Sequence, residues 1–268
     1  MKTVLITGCS SGYGLEAVRY FHAQGWKVIA TMRTPREDIL PQRSDRLTAL
    51  ALDVTRPESI AAALKASGPI DVLVNNAGLG LFGAFEATPM ATIREVFETN
   101  TFGVMAMTQA VLPQLRERRA GVVVNVTSSA TLAPMPLVAV YTASKTAIEG
   151  FTASLAFELQ AFDVQVKLVQ PGYGPSTGFT RNGAARMQGL IPEPYAPFAQ
   201  SVFAEFTKPA AVTVEADVAA AVWRAANDAS GQLRFPAGAD AVALATAARS
   251  GPSPGHSGSA PSGNRQTP

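Results

Sequence analysis

Cysteine and histidine are almost absent from this chain of 268 residues, which has one cysteine, Cys9, and two histidines, His22 and His256. A single cysteine cannot form a disulfide within the chain, and nothing indicates an oxidising compartment. The cysteine and histidines are too few for a zinc site of the usual kind, and no run of acidic ligands indicates another metal. We therefore expect no metal centre, and we expect Cys9 to be a small buried side chain.

An excess of charge of either sign is also missing. Lys and Arg number 22 and Asp and Glu number 20, so the net charge is +2. This balance does not favour binding to nucleic acid or to an anionic membrane, and no basic cluster with interleaved aromatic residues occurs. The apolar stretch at the N-terminus has only the length of a strand and runs into a glycine-rich loop, so we expect neither a signal peptide nor a membrane span. The expected location is the cytoplasm.

Hydrophobic residues, in contrast, make up 47% of the chain, which is enough for one large domain with a buried sheet. Short β-branched and aliphatic runs alternate with longer helical patterns, which predicts parallel strands joined by crossover helices that cover both faces. The predicted strands are Thr3–Thr7, Lys27–Thr31, Leu47–Leu52, Val72–Asn75, Gly121–Thr127, Gln165–Gln170 and Gln232–Phe235. The predicted helices are Gly14–Gln24, Glu58–Ser67, Met90–Arg118, Val140–Ala161 and Val214–Asp228.

The stretch Gly174–Pro209 breaks this alternation because prolines recur through it with aromatic residues between them. Its position after the sixth predicted strand favours a substrate lid at about 174–209, and an irregular packing segment is the alternative. The tail from Ser250 is rich in Gly, Ser and Pro and is predicted to be disordered. The sequence thus predicts one catalytic domain over residues 1–249 and a tail over 250–268.

Three glycines, Gly8, Gly12 and Gly14, follow the first predicted strand. Gly8 permits a tight turn, Gly12 lets the backbone approach a pyrophosphate, and Gly14 allows a helix and a strand to pack closely. The N-terminus of the following helix offers free N–H groups and a partial positive charge to phosphates. The spacing fits the general dinucleotide fingerprint only loosely, and a structural turn is the alternative. A dinucleotide in this loop would also contact Ser10, Ser11 and Tyr13.

A tyrosine and a lysine four residues apart, Tyr141 and Lys145, share one face of a predicted helix. A nearby ammonium favours the phenolate, so we expect Lys145 to lower the pKa of Tyr141 from its usual value of about 10. A tyrosine tuned in this way can act as a general acid or base toward a hydroxyl or a carbonyl. Ser128 follows the fifth predicted strand, where its hydroxyl can hold a substrate oxygen. Taken alone, the Tyr–Lys pair would be an ordinary solvated helix face.

These segments together resemble the short-chain dehydrogenase/reductase family over roughly residues 1–235. The resemblance rests on TGCSSGYG at 7–14, NNAG at 75–78, Asn100, Ser128 and YTASK at 141–145, in this order and at these spacings. It implies an α/β fold: a single doubly wound Rossmann domain with a seven-stranded parallel sheet in the order 3-2-1-4-5-6-7 and helices on both faces. It also implies association into a homodimer or homotetramer through the helices Met90–Arg118 and Val140–Ala161.

The family's catalytic residues have counterparts at four positions. Tyr141 matches the catalytic acid or base, and Lys145 the residue that holds the nicotinamide ribose and lowers the pKa of the tyrosine. Ser128, rather than its neighbour Ser129, matches the serine that orients the substrate oxygen. Asn100 matches the asparagine that holds a water of the proton relay through a local helix distortion. Without the resemblance, Asn100 would read as a helix-surface amide.

The resemblance also assigns cofactor contacts beyond the glycine loop. Asn75, Asn76, Ala77 and Gly78 would stabilise the central sheet and line the adenine-ribose side, and Asp53 and Val54 would contact the adenine. Asp53 by itself could equally be a helix cap.

The segment after the sixth predicted strand resembles the family's Pro-Gly segment, whose threonine contacts the carboxamide. Pro171 and Gly172 match the family pattern, but Gly174 stands where an aliphatic residue is usual and the threonine falls one place late. Ser176 and Thr177 are both candidates for the contact, and we choose Thr177.

The end of the second strand indicates which dinucleotide binds. An acidic residue there would bond the 2′-hydroxyl of NAD, whereas this chain has Met32 followed by Arg33, with Arg36 nearby. A guanidinium can hold a phosphate bidentately, so we expect NADP(H), with NAD(H) also possible. A second family mark of NADP, a basic residue before Gly12, is absent because Ser11 stands there.

The sequence therefore predicts an oxidoreductase that transfers a hydride between NADP(H) and a carbonyl or secondary alcohol. The aromatic residues of the predicted lid suggest an apolar small-molecule substrate. The alternative from another class is a non-catalytic regulator that binds NADP(H). A lyase or epimerase on a related, longer scaffold is a further alternative.

Overall fold

The computed structural model describes residues 1–41, 44–177, 179–206 and 211–249, without the side chains of residues 179–182 and 249. Within these ranges seven strands form one parallel sheet in the order β3-β2-β1-β4-β5-β6-β7, which confirms the predicted fold. The strands are β1 Thr3–Ile6, β2 Lys27–Met32, β3 Leu47–Ala51, β4 Val72–Asn75, β5 Gly121–Val126, β6 Val164–Pro171 and β7 Arg234–Ala237. The predicted disordered tail lies outside the described residues.

Helices cover both faces of the sheet. Over the described ranges they are α1 Gly12–Ala23, α2 Pro57–Ser67, α3 Met90–Phe97, α4 Gly103–Arg118, α5 Ala139–Gln160, α6 Phe179–Met187, α7 Ala196–Phe206, α8 Glu215–Asn227 and α9 Ala239–Arg249. Along β1, Val4 and Ile6 face a layer formed by α1 and α8, whereas Leu5 faces a layer formed by α2, α4 and α5. This alternation is what a strand buried on both faces requires. None of the described helices combines the length and the apolarity needed to cross a lipid bilayer.

The structure differs from the predicted elements most clearly around Asn100, at β7, in the lid and after β7, and by one or two residues at the ends of most other elements. The predicted helix Met90–Arg118 is divided into α3 and α4 by a π-helical turn, Glu98–Phe102, which contains Asn100. The predicted strand Gln232–Phe235 begins two residues later, because β7 first pairs with β6 where Arg234 lies beside Leu168. The predicted lid contains two helices, α6 and α7, and a further helix, α9, follows β7.

The prolines in the predicted lid are the reason that its two helices were not predicted from the sequence. Pro197 is the second residue of α7, where the helix has no N–H donor to lose. Pro192 and Pro194 belong to the short 3₁₀ turn Glu193–Tyr195 and its N-cap, which lead into α7. The prolines therefore mark the beginnings of elements rather than an irregular chain.

A chain of buried amides and hydroxyls joins the two central strands to the helices on one face. The Asn75 amide nitrogen donates to the Asn125 side-chain oxygen at 2.9 Å and to the Thr108 hydroxyl at 3.1 Å. The Asn125 nitrogen donates in turn to the Thr152 hydroxyl at 2.8 Å. These side chains connect β4 and β5 with α4 and α5, directly below the end of the sheet from which Ser128 emerges. Buried polar groups of this kind stabilise a fold only while each has its partner.

We expect Thr152→Val to lower the free energy of unfolding by about 1–3 kcal/mol, because it leaves the buried Asn125 amide without its acceptor. Thr142→Val is the matched control, since the buried Thr142 hydroxyl has no hydrogen-bond partner among the described residues. Its replacement should change stability little. Urea denaturation of both variants measures the difference, and equal losses would contradict the role given to the chain of amides.

Candidate active site

A cavity of about 1130 Å³ opens where the carboxyl ends of the strands meet. Its walls include the segments that follow six strands, as expected for a ligand site in an open parallel sheet. The predicted site residues in its lining are Gly8, Ser10, Ser11, Gly12, Tyr13, Arg33, Asp53, Val54, Asn76, Ala77, Gly78, Ser128, Tyr141, Lys145, Pro171, Gly172 and Thr177. Of the predicted residues, Gly14 and Asn100 do not line it; each supports the wall from behind.

The glycine loop is shaped by close backbone contacts. Gly8 has a φ of +73°, and a Cβ there would lie 2.7 Å from the Cα of Ala77. A Cβ on Gly14 would lie 2.5 Å from Asn76 Nδ2, which donates to the carbonyls of Thr7 and Gly8 at 2.9 and 3.2 Å. The loop after β1 and the loop after β4 therefore touch with no room for side chains. The result is a backbone cradle at the N-terminus of α1 that fits the phosphates of a dinucleotide.

Tyr141 and Ser128 lie on the wall of the cavity and are hydrogen-bonded to each other. The hydroxyl of Ser128, which comes two residues after β5, hydrogen-bonds the phenolic oxygen of Tyr141 on α5. Burial of the phenol raises the pKa of Tyr141 to about 12, and the Ser128 hydrogen bond acts in the opposite direction. Ser128 is fixed by a backbone N–H, because its Oγ accepts from Ala130 at 3.2 Å. The two hydroxyls can thus hold one substrate oxygen between them.

Lys145 lies one helical turn beyond Tyr141, with only 5% of its surface exposed. Its Nζ donates to the carbonyl of Val126 at 2.9 Å, and burial lowers the pKa of Lys145 to about 8. The expectation that Lys145 lowers the pKa of Tyr141 differs from the structure, in which the tyrosine pKa is raised. The reason is that both groups are buried, and desolvation disfavours the charged form of each.

Asn100 is completely buried in the π-helical turn, behind Lys145. Its Oδ1 accepts from the N–H of Leu79 at 2.7 Å, and its Nδ2 donates to the Leu79 carbonyl at 2.9 Å and to Ser144 Oγ at 3.1 Å. A Cβ on Gly78 would lie 3.3 Å from Asn100 Oδ1 and 3.4 Å from Lys145 Nζ. The extra residue of the π turn directs the asparagine inward, and its amide fixes the backbone beside the lysine.

The other end of the cavity carries Arg33 and Asp53. Asp53 accepts from the backbone N–H and the hydroxyl of Thr55 at 3.0 and 2.7 Å. Burial acts to raise the pKa of Asp53, but the Thr55 hydrogen bonds and the charges of Arg33 and Arg56 lower it overall. Arg33 makes no hydrogen bond or ion pair with any other described residue. By contrast, Arg36 is paired with Asp38 at 2.7 Å.

The segment after β6 separates the two candidates for the threonine of the Pro-Gly segment. Thr177 lines the cavity, and its hydroxyl donates to the Gly174 carbonyl at 2.7 Å. Ser176 is exposed and donates to Glu215 at 3.0 Å. Of the two, the structure therefore places only Thr177 at the cavity.

Sequence reasoning did not identify the apolar chamber beside Tyr141. Phe82 packs against Phe203 with ring centroids 5.1 Å apart, and Phe206 packs against Tyr173 at 5.2 Å. The other apolar side chains of this chamber are Met135, Val138, Met187 and Ile191. The aromatic residues of the predicted lid were a signal for part of this set. No signal in the sequence marked Phe82, Met135 and Val138, because they lie in loops with no distinctive sequence pattern.

An ion pair joins the lid to the opposite wall of the cavity. Arg186 on α6 contacts both carboxylate oxygens of Glu95 on α3, at 3.0 and 2.6 Å. Both residues line the cavity. They are 91 positions apart in the chain, so no spacing rule could have paired them.

Comparison with protein families gives one match, to the short chain dehydrogenase model, over residues 2–187. Retinol dehydrogenase 8 of Bos taurus is 44% identical over 185 residues, which are 64% of this chain and 58% of the relative. The 3-ketodihydrosphingosine reductase of Bacteroides thetaiotaomicron is 39% identical over 185 residues, 68% of this chain and 66% of the relative. The chain thus spans about three fifths of the length of these curated relatives.

Solved structures match over nearly the whole chain. A short-chain dehydrogenase from Streptomyces avermitilis has a TM-score of 0.76 and 34% identity, covering 93% of this chain and 92% of that one. A short chain dehydrogenase from Burkholderia cenocepacia in complex with NADP has a TM-score of 0.73 and 26% identity, with 92% and 94% covered. A 3-ketoacyl-(acyl-carrier-protein) reductase from Brucella melitensis complexed with NADH has a TM-score of 0.73 and 25% identity, with 88% and 96% covered. Similar folds thus bind either dinucleotide.

The lowered pKa of Lys145 predicts a pH dependence of stability. Its folded pKa of about 8 lies below its unfolded value of about 10.4. Between these values the unfolded chain binds more protons, so stability should rise as the pH increases. We expect the free energy of unfolding of the wild type to rise by about 2 kcal/mol relative to Lys145→Met between pH 8 and pH 10. Urea denaturation across this range measures it, with the exposed Lys65→Met as a control that keeps the wild-type slope. Parallel curves for the wild type and Lys145→Met would contradict the prediction.

Proposed function

The chain belongs to the short-chain dehydrogenase/reductase family, and from this we propose that it is an oxidoreductase that transfers a hydride between NADP(H) and an apolar carbonyl or secondary alcohol. The observation that carries the proposal is the hydrogen bond between Ser128 and Tyr141 on the wall of the cavity, with Lys145 one helical turn beyond. Two hydroxyls and a buried amine at one point can hold an oxygen and move a proton to or from it.

The dinucleotide that we propose would lie along the cavity. The phosphates would be held by the backbone of Gly8–Gly12 and the N-terminus of α1, the adenosine by Asp53 and Val54. Asn76 maintains this cradle through its bonds to the loop after β1. When bound, the nicotinamide supplies or accepts the hydride, and the protein supplies position and the proton.

Tyr141 is the group that we assign to the proton. With a pKa of about 12 it is protonated at neutral pH, so it can donate to a carbonyl oxygen as negative charge develops there. The Ser128 hydroxyl, which bonds the phenol in this structure, would turn its O–H to that substrate oxygen and hold it beside Tyr141. Lys145 acts when it is charged: its ammonium, one turn away, then stabilises the phenolate left behind. Asn100 positions the backbone of Leu79 beside this lysine.

NADP(H) is the dinucleotide that we propose, on account of Arg33. Its guanidinium lines the cavity close enough to Asp53 to influence its pKa, and it has no protein acceptor of its own among the described residues. The 2′-phosphate of NADP(H) would supply an acceptor for the Arg33 guanidinium, in the bidentate geometry that guanidinium groups favour.

The substrate that we propose is apolar. The chamber beside Tyr141 is lined by Phe82, Phe203, Phe206 and aliphatic side chains, so a carbonyl on a hydrocarbon skeleton would be desolvated there at little cost. The name of the bovine relative, a retinol dehydrogenase, agrees with this class.

We also propose a homodimer or homotetramer formed through α4 and α5. Phe157 on α5 is 79% exposed, and Phe102 immediately before α4 is 53% exposed. Burial of these rings between copies would remove apolar area from water. A monomeric mass by sedimentation at micromolar concentration would contradict this assembly.

We expect Tyr141→Phe to reduce kcat for NADPH-dependent reduction of apolar ketones and aldehydes by about 10²–10⁴-fold, because the proton donor is lost. NADPH binding, measured by calorimetry, should remain close to wild type. Tyr20→Phe is the control, since Tyr20 packs on Trp223 away from the cavity. Full turnover by Tyr141→Phe would refute the assignment. A wild type that binds NADPH but turns over no carbonyl would favour a regulator.

We expect Arg33→Ala to weaken NADPH binding by about tenfold or more while NADH binding stays the same, because only NADPH carries the 2′-phosphate. Arg36→Ala is the matched control, because that guanidinium is already paired with Asp38. Calorimetric titration of each variant with both dinucleotides gives the comparison. An equal loss for NADPH and NADH, or no loss, would remove Arg33 from the 2′-phosphate site.

A further inference from the structure

The phenol of Tyr13 extends from the glycine loop to the segment after β6. A Cβ on Gly174 would overlap the Tyr13 hydroxyl and would lie 3.1 Å from the ring carbon that bears it. Residue 174 is therefore glycine because the tyrosine occupies the space of its side chain. The departure of Gly174 from the family pattern thus has its physical reason in a residue on another loop.

The Tyr13 hydroxyl is a polar group with no hydrogen-bond partner among the described residues, on the wall of the cavity. Burial raises the pKa of Tyr13, and so do the negative charges that Tyr141, Glu215, Asp240 and Asp217 can carry nearby. The phenol therefore stays protonated at working pH and is available as a hydrogen-bond donor.

The segment after β6 has few polar groups of its own to offer a ligand. The Ser176 hydroxyl is bonded to Glu215, and Pro175 has no N–H. The Gly174 carbonyl already accepts from both the N–H and the hydroxyl of Thr177, at 3.2 and 2.7 Å. Tyr13 brings to this segment, from the N-terminus of α1, a hydroxyl that has no hydrogen-bond partner among the described residues.

We propose that the Tyr13 hydroxyl donates a hydrogen bond to the carboxamide of the nicotinamide ring, an inference that rests on the proposed function. The ring must lie beside Tyr141 for hydride and proton to reach the same carbonyl group. The Tyr13 phenol lies on the cavity wall against Gly174 and near enough to Tyr141 for the two groups to interact electrostatically, so the carboxamide is the polar substituent of the ring that it would meet.

Tyr13→Phe tests the inference because it removes the hydroxyl and keeps the ring. We expect the Kd of NADPH to increase by about three- to tenfold, as for the loss of one hydrogen bond. The Kd of 2′-phospho-ADP-ribose, which has the same phosphates but no nicotinamide, should not change. Calorimetric titration with both ligands measures the contrast, and Tyr20→Phe, on the same helix, should leave both constants at the wild-type values.

A pair of substitutions tests whether the Tyr13 phenol occupies the space of a side chain at position 174. Gly174→Val should weaken binding of both ligands, because its side chain displaces the Tyr13 phenol and with it the glycine loop. Tyr13→Leu combined with Gly174→Val should restore binding of 2′-phospho-ADP-ribose and leave NADPH weakened, since space returns but the hydroxyl does not.

Two results would overturn the inference. One is unchanged NADPH binding in Tyr13→Phe. The other is an equal loss for NADPH and 2′-phospho-ADP-ribose, which would mean that Tyr13 acts on the phosphate cradle alone. Failure of the proposed function is distinguishable, because a wild-type protein that binds neither ligand contradicts the dinucleotide site itself.

Discussion

The parallel direction of the strands is the constraint on which the site depends. Because the carboxyl ends of all the strands lie at the same edge of the sheet, six segments that are far apart in the chain converge on one cavity. Helices on both faces bury the strands that lead to this cavity. The buried amides of Asn75 and Asn125 hydrogen-bond across β4 and β5, which fixes the separation of the segments that follow these two strands.

Burial, rather than proximity, dominates the electrostatics of Tyr141 and Lys145. Both side chains are removed from water, so burial raises the pKa of Tyr141 and lowers the pKa of Lys145. The four-residue spacing correctly placed them on one face of α5, but it contains no information on desolvation. The direction of the tyrosine pKa could therefore not be read from the sequence.

The fold and the backbone contacts of the glycine loop were predictable because their signals are local. Runs of Val, Ile and Leu define strands, and glycines mark the places where backbones touch, as at Gly8 and Gly14. The family resemblance supplied the distortion at Asn100, which the structure contains as a π turn. The helices of the lid and the chamber around Phe82 were less accessible. Their residues come together only through tertiary packing, and prolines that begin helices resemble prolines that break them.

The ion pair between Glu95 and Arg186 bears on how ligands reach the interior. The Glu95 side chain is 51% exposed, so water and salt screen the pair and it contributes about 1 kcal/mol or less. The pair biases α6 toward the opposite wall without locking it there. A second contact from the lid across the cavity is apolar, because Phe203 on α7 packs on Phe82.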